Sequence, residues 1–239
     1  RAALAGGAQH VLLSTGGQVN TYLPGKTSAK DGAKSMVAYV QQIGFTGIDF
    51  DIEIASADAS YLTDLITEIK KLDSSLLITG APQLDMNGLC DKTPPQTHSL
   101  ILAPTMYAPA VKAGLFHYLF VQQYNSTWPG VGEPCIKETS TAFISQSFPE
   151  LQAIIPAATL IVPGQPASAA AAGTSVYNNA GTDIYALIAA EYQKINSPQF
   201  GGAMMWSINQ DKNDQFYTAV RPAIARGPAP QNCQTCCSF

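Results

Sequence analysis

Three acidic residues occupy alternate positions in the segment Thr46-Gly47-Ile48-Asp49-Phe50-Asp51-Ile52-Glu53. In an extended strand successive side chains point to opposite faces. Asp49, Asp51 and Glu53 therefore share one face, and Ile48, Phe50 and Ile52 share the other. The apolar face belongs under a covering layer of helices. The acidic face then points into the interior of a sheet or barrel, where each carboxylate makes ionisation of its neighbours more costly. At least one proton is retained near neutral pH under those conditions. Glu53, last in line at the C-terminal end, is the candidate proton donor. A protonated carboxyl beside an ionised partner is the arrangement that protonation of a glycosidic oxygen requires. Phe50 between two isoleucines argues against the other reading, a solvated edge strand with an acidic outer face.

Such a strand needs a framework, and the surrounding sequence alternates short apolar runs with amphipathic stretches. HVLLSTGG (10–17), LLITGAPQ (76–83), YLFVQQYN (118–125), TLIVPGQP (159–166) and GGAMMWSINQD (201–211) read as further strands. Asp31 to Ile43 places Ala33, Val37, Val40 and Ile43 at helical spacing, and Gly44 stops the helix. A second helix, capped by Ser56 or Asp58, carries Leu62, Leu65, Ile66, Ile69 and Leu72. Two more run from about Asp183 to Ile195 and from about Asn213 to Ala225. Strand–helix alternation means a parallel sheet with helices outside it. No linker divides the chain, so residues 1–226 are expected to form one catalytic domain, followed by a Gly/Pro/Cys tail at 227–239. PGVGEP (129–134) opens no helix and reads as a turn rather than a phosphate cradle.

Composition narrows the function classes. Of 239 residues, 46% are hydrophobic and 13% charged, with a net charge of −4. A sizeable core can be buried, and a protein that tracks nucleic-acid phosphates would instead show basic patches. No apolar run is long enough for a transmembrane helix. There is no G-x-S-x-G elbow, P-loop or H-E-x-x-H pattern, so neither a metal nor a cofactor is expected. The five cysteines (Cys90, Cys135, Cys233, Cys236, Cys237) and the low charge fit a secreted, extracellular protein.

The acidic segment resembles the D-G-x-D-x-D-x-E signature of the family 18 glycoside hydrolases, the chitinase family, with Thr46 in place of the first Asp. Other segments resemble the hevamine-like subgroup in the same order: LLSTGG its S-x-G-G strand, GAPQ a strand end, VQQYN its Q-x-Y-N, and GAMMWSIN its closing strand. The resemblance spans about residue 10 to residue 211. It implies a (β/α)₈ TIM barrel, and in the family the S-x-G-G strand is the third and the acidic strand the fourth. The sequence is therefore expected to begin at the third strand, with six recognisable βα units and an incomplete N-terminal side.

The resemblance also implies roles. Glu53 is the acid and later the base, Asp51 orients the substrate's 2-acetamido group, and Asp49 tunes the proton shared with Asp51. Tyr124 donates its hydroxyl to the acetamido carbonyl, and Gln122 and Asn125 line the same subsite. Trp206 forms the floor under the sugar, Trp128 stacks at the rim, and Met106 and Tyr107 line the groove. Cys90 and Cys135 are expected to form a disulfide, as hevamine-type proteins carry cysteines at similar places. The implied partner is chitin or a chito-oligosaccharide, cleaved by a monomer that binds neither nucleic acid nor membrane. The alternatives are an endo-β-N-acetylglucosaminidase acting on N-glycan cores and a carbohydrate-binding protein or inhibitor without turnover. Thr46, on the face opposite the acids, is expected to affect packing rather than chemistry.

Overall fold

Local sequence sets the first helix at both ends. The Ser28 hydroxyl accepts from the N–H of Asp31 at 3.1 Å, and Gly44, at φ 82°, turns the chain out while its N–H returns to the carbonyl of Val40. Between these caps the apolar spacing buries Ala33, Val37 and Val40, while Ile43, the last residue of the stripe, is exposed beside the C-cap. The computed structural model describes residues 7–19, 27–53, 59–87, 99–126, 130–132, 135–179, 181 and 183–225. The expected cap at Ser56 or Asp58 lies outside them.

The elements run β1 (Leu12–Gly16), α1 (Ala29–Ile43), β2 (Gly47–Asp51), α2 (Ala59–Leu72), β3 (Leu77–Gly80), β4 (Gln83–Asn87), β5 (Ser99–Ala103) and α3 (Tyr107–Lys112). They continue with β6 (Tyr118–Gln122), β7 (Gly130–Val131), β8 (Ile136–Lys137), α4 (Phe143–Gln146), α5 (Phe148–Ile154), β9 (Leu160–Pro166), α6 (Ile184–Lys194), β10 (Met204–Trp206) and α7 (Gln215–Ile224). The chain groups into two compact units, interleaved in sequence. One is Arg1–Pro82 with Leu102–Leu119, the other Gln83–Ile101 with Phe120–Phe239.

In the first unit β1, β2 and β3 are parallel neighbours, with Ser14 opposite Asp49 and Asp49 opposite Thr79. The first residues of β6 extend the set, Thr79 pairing with Tyr118 and Gly80 with Leu119. Ile48, Phe50 and Ile78 are fully buried, together with Leu62, Leu65, Ile66 and Ile69 of α2. Each such side chain contributes about 1.5–3 kcal/mol on burial. Thr46 stitches β2 to the residue before β1: its hydroxyl accepts from the N–H of Val11 at 3.0 Å, and its own N–H donates to the Val11 carbonyl at 2.8 Å. The packing role read for Thr46 has this physical form.

In the second unit β4 pairs in parallel with β6 through Gln83 and Gln122, and β9 pairs with β10. Gly164 leaves room for Met204, whose Cε would lie 2.2 Å from an added Cβ. The Gln199 side-chain amide donates to the carbonyls of Ile155, Pro156 and Thr159 at 3.1, 2.9 and 3.0 Å, closing the turn between α5 and β9. Before α7 the Asp211 carboxylate accepts from the N–H groups of Phe216 and Tyr217, at 2.8 and 3.0 Å.

The predicted strands at 10–17, 46–53, 118–125, 159–166 and 201–211 all contain observed parallel strands, generally shorter than expected. The run 76–83 divides into β3 and the start of β4. β5, α3, α4 and α5 have no counterpart in the sequence reading, and the expected turn at 129–134 includes β7, which pairs antiparallel with β8.

Candidate active site

Period-2 alternation on β2 separates an apolar face from an acidic one, as predicted. Ile48 and Phe50 are fully buried, Ile52 is 1% exposed, Asp49 is buried, and Asp51 and Glu53 are half-buried. Asp49 sits between the flanking strands. Ser14 Oγ of β1 donates to Oδ2 at 2.9 Å, and Thr79 Oγ1 of β3 donates to Oδ1 at 2.6 Å. Burial pushes the Asp49 carboxyl above its ordinary range, and these two hydrogen bonds pull in the opposite direction without overcoming it. The most enclosed acid of the strand is therefore disposed to hold a proton.

The end of the strand is fixed from both sides. Toward β1, Gly17 N–H donates to the Asp51 carbonyl at 2.6 Å, a contact open only because Gly16 lacks a side chain. Toward β3, Ala81 N–H donates to the Phe50 carbonyl at 2.9 Å. The Tyr107 hydroxyl also donates to the Phe50 carbonyl and accepts from Ile52 N–H at 2.8 Å. Burial pushes the Tyr107 phenol well above its usual range, and the charges of Asp49 and Asp51 add to the effect. Met106 and Tyr107, read from the sequence as groove lining, are 2% and 0% exposed. The structure places both in the core of the first unit, and backbone groups engage the Tyr107 hydroxyl.

In the second unit Gln122 and Tyr124 are both buried, on the same face by period 2. Gln123 points the other way, into a buried chain in which Gln165 Nε2 donates to Gln123 Oε1 at 2.9 Å and Gln123 Nε2 donates to Ser147 Oγ at 2.8 Å. Asn125 stands at φ 59°, outside that alternation. Its Oδ1 accepts from the N–H groups of Gly173 and Thr174 at 2.8 and 3.2 Å, so its side chain ties a loop. Trp206 is 50% exposed at the end of β10. Trp128 lies outside the described residues. Cys135 is disulfide-bonded, and the other four cysteines lie outside the described residues. Among the described residues no group of three or more His, Cys, Asp or Glu is arranged to hold a metal ion.

Three polar residues carry more than the sequence reading assigned them. For Ser14 in LLSTGG and Thr79 in LLITGAPQ the sequence signal is a hydroxyl within an otherwise apolar strand. Glu138 is 2% exposed, and neither of its carboxyl oxygens meets a hydrogen-bond partner among the described residues. Burial pushes its pKa up to about 8 against the opposing influence of the nearby Ser126 hydroxyl and backbone N–H. Nothing in its sequence surroundings distinguishes it from a surface glutamate.

No family model matches the chain. It is 26% identical over 225 residues to the acidic endochitinase SE2 of Beta vulgaris, which covers 92% of this chain and 66% of that protein. It is 28% identical over 224 residues to an acidic endochitinase of Phaseolus angularis, covering 88% of this chain and 64% of that one. The chain thus spans just under two thirds of the length of these relatives. A crystal structure described as a candidate chitinase A of Streptomyces coelicolor superposes with a TM-score of 0.72 at 21% identity, over 94% of this chain and 76% of that chain. A fungal endo-β-N-acetylglucosaminidase of glycosyl hydrolase family 18 gives a TM-score of 0.58 at 16% identity, over 90% and 71%. At these identities the structural likeness is one of fold, and it bears out the expected α/β class of TIM-barrel type. Among the described residues no helix is long and apolar enough to cross a membrane.

Proposed function

We propose that this chain, which resembles the family 18 glycoside hydrolases in motif, sequence relatives and fold, hydrolyses β-1,4 bonds between N-acetylglucosamine units of chitin. The observation that carries the reading is the acidic face of β2, with Asp49 enclosed between Ser14 and Thr79 while Glu53 follows at the strand's end. In the substrate-assisted scheme that the resemblance implies, Glu53 gives its proton to the glycosidic oxygen. The acetamido carbonyl oxygen attacks the anomeric carbon, and the bond to the leaving sugar breaks. Water then opens the oxazolinium intermediate, and the Glu53 carboxylate takes the water's proton, giving net retention. Asp51 stabilises positive charge at the acetamido nitrogen, and Asp49 shares its proton with Asp51. The raised pKa of Asp49 supports that sharing.

Tyr124, Gln122, Trp206, Asn125 and Trp128 keep the substrate-facing roles that the resemblance assigns them. For Asn125 the loop tie is an additional duty. A Cys90–Cys135 bond is the proposed pairing, and a free-thiol count unchanged on reduction would overturn it. The enzyme is proposed to act as a secreted monomer.

The test is turnover of a chromogenic chito-oligosaccharide by the wild type and by Glu53→Gln. Loss of about 10³-fold or more in the variant is expected, and equal activity would sink the mechanism. Release of glycans from a high-mannose glycoprotein would instead favour the endo-β-N-acetylglucosaminidase reading, which the fold likeness to the fungal enzyme keeps in view. An acid optimum is expected because Glu53 must start protonated.

A further inference from the structure

Parallel pairing of β2 with β3 ends at Phe50 opposite Gly80. One more rung would require Ile52 N–H to donate to the Ala81 carbonyl, one residue past β3. The N–H of this buried residue donates instead to the Tyr107 hydroxyl, at 2.8 Å, and the same hydroxyl donates to the Phe50 carbonyl. A buried backbone N–H must find a partner, and here a side chain from α3 replaces the neighbouring strand. Gly80 makes the arrangement possible, since an added Cβ would lie 3.1 Å from Tyr107 Cε1 and 3.0 Å from Phe116 Cε1.

The bridged peptides flank Asp51 and lead directly into Glu53. The Asp51 carbonyl, on the opposite side of the strand, is held by Gly17 N–H at 2.6 Å. Phe50, Asp51 and Ile52 therefore have backbone groups fixed from both neighbouring sides, and Glu53 follows directly on this fixed segment. We infer that Tyr107 is a positioning residue: its hydroxyl ends the β2–β3 ladder and sets the backbone from which Asp51 and Glu53 project. This inference rests on the hydrolase reading for its catalytic consequence, while the backbone clamp itself can be measured separately. Because burial and the nearby carboxylates keep the phenol protonated, it remains a donor across the working pH range.

The experiment compares the wild type with Tyr107→Phe, which keeps the ring and removes the bridge. On a chito-oligosaccharide the variant is expected to lose about 10–100-fold in kcat with KM within about twofold, because catalytic geometry and not sugar binding is disturbed. The alkaline limb of its kcat profile is expected to move, since the two carboxyls then sit differently. In native-state hydrogen exchange, the Ile52 amide of the wild type should be as protected as those inside β2, and that protection should fall in the variant. A folded variant with kcat within twofold of wild type and an unmoved limb would overturn the proposal. So would a rapidly exchanging Ile52 amide in the wild type, or a joint collapse of kcat, KM and thermal stability, which would assign Tyr107 to the core alone. A wild type that does not turn over the sugar would remove the hydrolase reading, and with it the catalytic consequence, while the exchange data would still report the clamp.

Discussion

A Cβ added to Gly16 would stand 2.0 Å from the carbonyl oxygen of Asp51. At that distance neither strand can keep its place. Gly16 is also held at φ 114°, a conformation that side chains disfavour, and Gly17 next to it donates to the same Asp51 oxygen. Gly16→Ala is therefore expected to cost about 1–3 kcal/mol in stability. It should also reduce turnover by about 100-fold through displacement of the acidic strand. Chemical denaturation and chito-oligosaccharide kinetics read the two effects, and a variant equal to wild type in both would show that β1 yields freely here.

Asp49 offers a second prediction. Its pKa is raised above 3.8 by burial, so its stabilising influence is full below that value and is lost as pH rises through the folded pKa. Removing one donor with Thr79→Val raises the folded pKa further. The variant should lose about 1–3 kcal/mol relative to wild type near neutral pH and much less near pH 3. Asp49→Asn should flatten the dependence. Unfolding curves collected from pH 3 to 8 decide the matter; a Thr79→Val deficit that is constant with pH would contradict the assignment.

Glu138 follows the same sign with a wider window. Its pKa stands at about 8 in the folded chain against an ordinary 4.5. Neutral burial favours the fold below 4.5, and the advantage disappears between that pH and about 8 as ionisation is forced. Glu138→Gln should unfold at nearly the wild-type temperature at pH 4 and at a clearly higher one at pH 9. The difference in stability there is on the order of 5 kcal/mol. Thermal melts at the two pH values test this, and a variant less stable at pH 9 would refute it.

Asn125→Ala removes the acceptor for the Gly173 and Thr174 N–H groups and places a side chain that disfavours φ 59°. A cost of about 1–2 kcal/mol is expected, with faster amide exchange confined to residues 173 and 174. Asn125→Asp, which retains the oxygen, should behave more like wild type. Unchanged exchange in the alanine variant would dissolve the proposed tie.

The acidic face was legible because strand alternation is a local property: Asp49, Asp51 and Glu53 announce their common side without reference to anything else. The helix over Ala29–Ile43 was legible for the same reason, through its apolar spacing and Gly44. What holds Asp49 was not legible, because Ser14 and Thr79 reach it from 35 and 30 residues away. Tyr107 reads from sequence as groove lining yet lies in the core, because an aromatic ring with a polar tip suits a sugar or a backbone equally well. Only the end of the β2–β3 ladder chooses between them. β5 went unread because Ser99–Ala103 is a short apolar run with proline nearby, and length and periodicity alone do not separate such a run from a loop.

The Gln199 amide has a bearing on how long the protein lasts. A single nitrogen serves three carbonyls at the junction between α5 and β9. Hydrolytic ageing of that amide to a carboxylate would exchange the shared donor for a negative charge facing three acceptors. The damage would be confined to one side chain, yet it would push apart the turn that delivers the chain into β9. Gln199→Glu should therefore unfold at a clearly lower temperature than the wild type, and an unchanged melt would show that the turn does not depend on the shared donor.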